Sequence, residues 1–261
     1  MESPGLDPGC YPISAGKNPL RCFMPVEGVA GFSIAEGKEI AVQPYPDMEP
    51  DVMRLFLQGR AMSALLQQRL VPVLHGSSVA TPSGAVIFAG LSGCGKSPLA
   101  AVFRRRGFRV LTDDVAAVEG SLVLPGPACL MLWEDSLRLL DIDLSEVRPN
   151  RAGSRKHILT LGSAYQPEPV HLRKIYIVQD SEQTSLAPVR GMEKFDLLMS
   201  NLFCADLSAR MGIEAEYLAR VAELAAQTEV AILARNPAPN RLDETVDFVL
   251  RDLSSGVSAR C

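Results

Sequence analysis

The sequence predicts an α/β fold, with a mixed sheet flanked by helices over residues 71–261 and a small N-terminal α+β unit over 1–70. Three observations predict it. An apolar strand at 85–89 runs into the glycine-rich stretch Gly90-Leu91-Ser92-Gly93-Cys94-Gly95-Lys96-Ser97. A helical stretch at 97–106 follows, Gly107 stops it, and a strand at 109–111 then ends at Asp113-Asp114. Strand, glycine-rich loop, helix and strand is the pattern of phosphate-binding α/β folds. Short apolar runs at 116–118, 122–124 and 129–133 come next, and such a run argues for a mixed rather than a purely parallel sheet.

Read in order, residues 1–28 are rich in Pro and Gly and suggest loop or short β structure. Residues 31–46 read as a hairpin, with strands at 32–34 and 40–42 about a Glu36-Gly37 turn. Asp51 is placed to cap a helix after Pro50, and apolar residues recur at helical period from 52 to 70. A strand at 71–74 ends at His75. Beyond the segment described above, 141–173 reads as loop and is locally basic, with Arg148, Arg151, Arg155, Lys156 and Arg173. Strands are expected at 175–179 and 230–234, and helices at 192–203, 214–227 and 242–253.

Composition narrows the function classes. The chain has 261 residues, enough for one domain of roughly 150 residues or more plus an appendage. Apolar residues make up 47% and charged residues 21%, which excludes disorder as the dominant state. The net charge of −4 provides no basic field for nucleic acid. No apolar run approaches the roughly 18 residues of a membrane span. Residues 1–12 lack the basic-then-apolar pattern of a secretory signal, so a cytoplasmic location is expected. The six cysteines are scattered without a CxxC pair, which argues against a zinc site or a disulfide framework.

Gly90 to Ser97 fits GxxxxGK[ST]. Glycines let backbone N–H groups curl around phosphate oxygens, and the helix that follows turns its free N–H groups and positive dipole end the same way. Lys96 is the candidate for the β- and γ-phosphates, and the Ser97 hydroxyl for Mg²⁺. The chain holds only six lysines, so a chance match is on the order of one in a hundred. Pro98 departs from the usual pattern, because it offers no N–H where the α-phosphate would accept one.

Asp113-Asp114 falls at a strand end beside this loop in a parallel arrangement. Adjacent carboxylates there point in different directions and suit different tasks. One accepts a proton from an attacking hydroxyl, and the other orients a metal ion, water or side chain. A solvated acidic turn is the bland alternative. His75-Gly76 falls near the same edge, where a structural histidine and an active-site one are equally good readings.

Together, Leu74-His75-Gly76, the GLSGCGKS loop and the stretch from Arg106 to Asp114 resemble the catalytic domain of HPr kinase/phosphorylase over about residues 71–120. The spacings from histidine to loop serine, and from that serine to the second aspartate, agree with the family. The resemblance implies the P-loop fold shared by HPr kinase C-terminal domains and PEP carboxykinase. It implies an ATP- and Mg²⁺-dependent kinase that phosphorylates a serine of a protein or peptide, in a homo-oligomer. It also implies that His75 and Lys96 are active-site residues, that Ser97 binds Mg²⁺, and that Asp114 deprotonates the acceptor serine. The family's Glu-Arg-Gly segment has no full counterpart; Leu132-Trp133-Glu134-Asp135 stands nearest, which makes Glu134 the candidate second metal ligand. The family's later arginine is matched only by charge, at Arg151, Arg155 or Lys156. The chain is similar in this to shorter HPr-kinase-like bacterial proteins, some from lasso-peptide clusters, for which a precursor peptide is the implied acceptor.

Two other readings stand beside this one. A small-molecule kinase also places Asp after the loop helix but leaves His75-Gly76 unexplained. A nucleotide-binding sensor without transfer activity accommodates Pro98 and the missing Arg-Gly. If Pro98 withholds a phosphate donor, Pro98→Thr tightens ATP binding in a calorimetric titration; an unchanged dissociation constant contradicts this.

Overall fold

Alternation of apolar and polar residues builds the first sheet. In this computed structural model, which describes residues 14–17, 19–151, 153–238 and 241–255, the chain divides into two compact units. The reading of 1–13 lies outside the described residues. One unit is made of the described residues up to Leu70 together with Cys204–Glu216. Its strands β1 (Ser14–Lys17), β2 (Leu20–Val26), β3 (Ala30–Ala35) and β4 (Glu39–Pro44) form an antiparallel sheet in chain order. Cys22, Met24, Val26, Phe32 and Ile34 point to one buried face. Glu36 and Gly37 both adopt positive φ, 51° and 64°, which suits the tight hairpin turn.

The helical path that follows is not the single helix expected over 52–70. It runs as α1 (Pro50–Phe56), a π turn (Leu57–Ala61) and α2 (Met62–Gln68). The wider turn shifts the apolar stripe, so that Ala61, Ala64 and Leu65 join the sheet's core with Leu207, Met211 and Ile213. Glu49, not Asp51, is the N-cap; Pro50 takes the first helical position, where its missing N–H costs nothing.

The second unit, Val71–Phe203 with the described residues from Tyr217, is a central mixed sheet flanked by helices. Its strands are β5 (Val73–Thr81), β6 (Gly84–Ala89), β7 (Arg109–Thr112), β8 (Val115–Glu119) and β9 (Leu122–Val123). A small antiparallel sheet of β10 (Cys129–Trp133), β11 (Val147–Pro149) and β12 (Lys156–Thr160) stands apart. The central sheet is completed by β13 (Val170–Asp180), β14 (Ser185–Val189) and β15 (Glu229–Arg235). Its order is β14-β15-β13-β6-β5-β8-β9, with β7 also paired to β5. β13 is parallel to β6 and β15, whereas β5 is antiparallel to β6, β7 and β8.

Helix α3 (Lys96–Arg105) and the helix Leu242–Ser255 pack Leu99, Phe103, Val246 and Val249 into one core with Phe88 and Tyr176. Arg105 and Arg106 pair with Asp243, which ties the two helices together at the surface. Among the described residues no helix is long and apolar enough to cross a membrane.

Three expectations change here. The segment 141–173 holds strands β11 and β12 rather than loop alone. The helix expected at 192–203 ends at Ser200. The strand expected to end at His75 instead begins at Val73 and runs through Gly76-Ser77-Ser78 to Thr81. A Cβ at Gly76 would stand 2.6 Å from the Phe88 carbonyl oxygen, so glycine is what lets β5 and β6 pair.

This antiparallel central strand sets the site. β6 and β7 both oppose β5, so Ala89 and Thr112 end at one edge, close to His75 in the first half of β5. The Asp pair therefore shares the loop's edge with β5 lying between the two strands. Gly76→Ala is expected to cost about 1–3 kcal/mol through overpacking, read as a lower urea midpoint; an unaltered midpoint contradicts the close approach.

Candidate active site

At this edge the loop, the start of α3, β5, the turn after β7 and the small sheet line an open cleft. The loop is shaped by glycines with positive φ. At Gly90 (φ +150°) a Cβ would meet the Val178 carbonyl oxygen at 2.6 Å. At Gly95 (φ +95°) it would meet the Arg235 guanidinium at 2.7 Å. Arg235 is buried behind the loop; its Nε donates to the Cys94 carbonyl at 2.9 Å and its Nη2 lies 3.8 Å from Asp180 Oδ1. The N-cap of α3 is Gly95, which brings no side-chain cap to the helix's first N–H groups.

Lys96 and Ser97 open α3 and line the cleft. Lys96 Nζ donates to the carbonyls of Gly90 (2.8 Å) and Leu91 (2.9 Å). Burial lowers its pKa, against the opposing pull of Asp114 and Asp113. The Ser97 hydroxyl donates to Asp113 Oδ1 at 2.9 Å.

Asp113 is buried, with 6% exposure, and its acceptors are used by three elements. Oδ1 also accepts from Ser77 of β5 at 2.6 Å, and Oδ2 accepts from the Met131 N–H of β10 at 2.7 Å. Burial, with the neighbouring Asp114 charge, raises its pKa to about 6. Asp114 instead faces the cleft from a left-handed backbone, φ +66°. Aspartate tolerates that conformation better than most residues, yet it remains strained.

Lys156 Nζ lies 3.3 Å from Asp114 Oδ2, and His75 Nε2 lies 3.9 Å from Asp114 Oδ1. The His75 ring packs edge-on against Phe203, with centroids 5.8 Å apart. Burial first, and then the Lys96 charge, lower its pKa, which favours a neutral imidazole.

The structure thus brings His75, Ser92, Gly93, Gly95, Lys96, Ser97 and Asp114 to one cleft and places Asp113 directly behind it. Glu134 is not among the residues lining the cleft. Its carboxylate faces Arg155 at 3.5 Å and Arg138 at 3.8 Å. Of the three basic candidates, Lys156 reaches the cleft; Arg151 and Arg155 are exposed, and Arg155 is paired with Glu134 and Asp135. Ser77, the Met131 N–H, Trp133 and Arg235 carried no motif. Only the fold brings them to the site, because β5 continues past Gly76 and β10 runs beside Asp113. No protein-family model matches the chain, and no curated protein matches it.

The two aspartates are expected to separate in stability. Asp113→Asn puts an NH₂ group against the Met131 N–H or the two serine hydroxyls, leaving a buried donor unpaired at about 1–3 kcal/mol. Asp114→Asn keeps a residue that tolerates positive φ. Urea unfolding should show a clear loss for the first variant and little for the second; equal losses contradict the assignment.

Proposed function

We propose that the chain is an ATP- and Mg²⁺-dependent kinase of the HPr kinase type that phosphorylates a serine of a protein or peptide. The observation that carries this reading is the meeting of a half-buried, cleft-facing carboxylate, Asp114, with two lysines and the glycine loop in a single cleft. Phosphoryl transfer needs positioning and charge stabilisation more than covalent chemistry, and this set provides both.

On this reading the loop amides and the N-terminus of α3 face the phosphates, and Lys96 exchanges the Gly90 and Leu91 carbonyls for phosphate oxygens. Asp114 accepts the serine hydroxyl proton as the serine oxygen bonds to the γ-phosphorus. The bond from that phosphorus to the β,γ-bridging oxygen breaks, and ADP leaves with the electron pair. Lys156 neutralises charge on the transferring group, and His75 packs beside Asp114 and positions it.

The residues also fit a nucleotide-borne Mg²⁺. Among the described residues no three His, Cys, Asp or Glu side chains cluster as a metal site. The Ser97 hydroxyl donates its proton to Asp113, which leaves its oxygen lone pairs for a cation otherwise held by phosphates and water. When bound, the ion offsets phosphate charge. Membership of the HPr-kinase-like family, its P-loop fold, a homo-oligomeric assembly and a cytoplasmic location belong to the same proposal.

The test is incubation with ATP, Mg²⁺ and serine peptides encoded beside the gene. Mass spectrometry should find a gain of about 80 Da on serine, the mass of an added phosphoryl group. Lys96→Ala should abolish that gain and weaken ATP binding roughly 10- to 100-fold, as loss of a charged hydrogen bond does. ATP binding without transfer to any peptide or small hydroxyl compound would favour the sensor reading. Near-normal turnover by Lys96→Ala would remove the loop from the mechanism.

A further inference from the structure

We propose that Trp133 is the specificity residue of the acceptor side, docking an apolar side chain two positions from the serine in an extended peptide. The proposal rests on the kinase reading of the same cleft and names its substrate class more closely.

Trp133 is the chain's one tryptophan, and it is 51% exposed on the cleft wall. The antiparallel register of β10 and β12 sets it directly opposite Lys156. Directly opposed residues share a sheet face, with Cβ atoms about 4.5–5.5 Å apart. The Lys156 ammonium lies 3.3 Å from Asp114. The indole therefore stands one side chain away from the carboxylate that takes the hydroxyl proton, on the side that Lys156 borders.

An extended segment with its serine at Asp114 turns its side chains alternately toward and away from the protein. The next side chain facing the same way is two residues on, about 6.6 Å distant. That side chain falls on the side of Asp114 that Lys156 and the indole border.

The surroundings favour an apolar contact. Arg155 pairs with Glu134 and Asp135 at 3.5 and 3.6 Å, and Arg138 pairs with Asp135 at 3.3 Å. These charges satisfy one another beside the indole. An aromatic anchor within a polar rim is the usual anatomy of a protein-binding hot spot. A small hydroxyl compound seated at Asp114 would leave the indole without a contact.

The indole's own fluorescence tests this directly. Synthetic serine peptides carrying phenylalanine, glycine or glutamate two positions from the serine are titrated into protein saturated with a non-hydrolysable ATP analogue. The phenylalanine peptide should shift the emission to the blue and bind about tenfold more tightly than the glycine peptide. Trp133→Ala should erase that preference, with the loss appearing in the peptide KM, while ATP affinity by calorimetry stays within about twofold; Trp133→Phe should restore most of it. Equal affinity for the three peptides overturns the proposal. So does an emission change caused by ADP but not by inorganic tripolyphosphate or peptide, which would place the indole against the nucleobase. Absence of any ATP binding would instead overturn the kinase reading and this proposal with it.

Discussion

The Asp113 carboxylate holds the site together. Burying a carboxylate is costly unless its oxygens are satisfied, and here three donors satisfy them. They come from three separate elements: Ser77 on β5, Ser97 on α3 and the Met131 N–H on β10. One side chain thus fixes the central sheet, the loop helix and the small sheet against each other. The turn that follows has little freedom. The Val115 N–H returns to the Asp113 carbonyl at 2.9 Å, and Asp114 is left in a left-handed conformation facing the cleft. The strain at Asp114 and the burial of Asp113 are two consequences of one tight turn.

Charge in the cleft follows from this frame. Among the described residues lining it, Asp114 is the one carboxylate, with Lys156, Lys96 and His75 beside it, and burial and the Lys96 charge lower the His75 pKa. Lys96 rests on two carbonyls of its own loop, which satisfy a buried ammonium. Arg235 supports the loop from behind through the Cys94 carbonyl and stays out of the cleft lining. The arrangement suits an anion entering from the open side and a hydroxyl delivered to Asp114.

Much of this frame is legible in the sequence, where local chemistry decides the structure. The glycine loop lies between an apolar strand and a helix, and the first two short strands after Asp114, β8 and β9, join the mixed sheet, whereas β10 pairs with β12 in the small antiparallel sheet instead. What local chemistry does not carry is less legible. By sequence the strand ends at His75, because nothing apolar marks Gly76-Ser77-Ser78 and its strand character comes from the close approach of β6. Lys156 is one basic residue among several until β12 pairs with β10 and aims it at Asp114. Glu134 is singled out by its place in the chain, and the ion pairs it makes with Arg155 and Arg138 come only from the fold and from the start of the helix after β10. The π turn at Leu57–Ala61 widens a single turn, and the shift of the apolar stripe that it makes is too short to register in a period count over 52–70.

The most direct measurement is single-turnover transfer from ATP to a serine peptide by Asp114→Asn, with ATP affinity measured on the same preparation. Asn keeps the shape and the backbone conformation but is a poor proton acceptor. The expected result is a loss of about 10²–10⁴-fold in the transfer rate, with ATP affinity nearly intact. Full transfer activity in Asp114→Asn would contradict it.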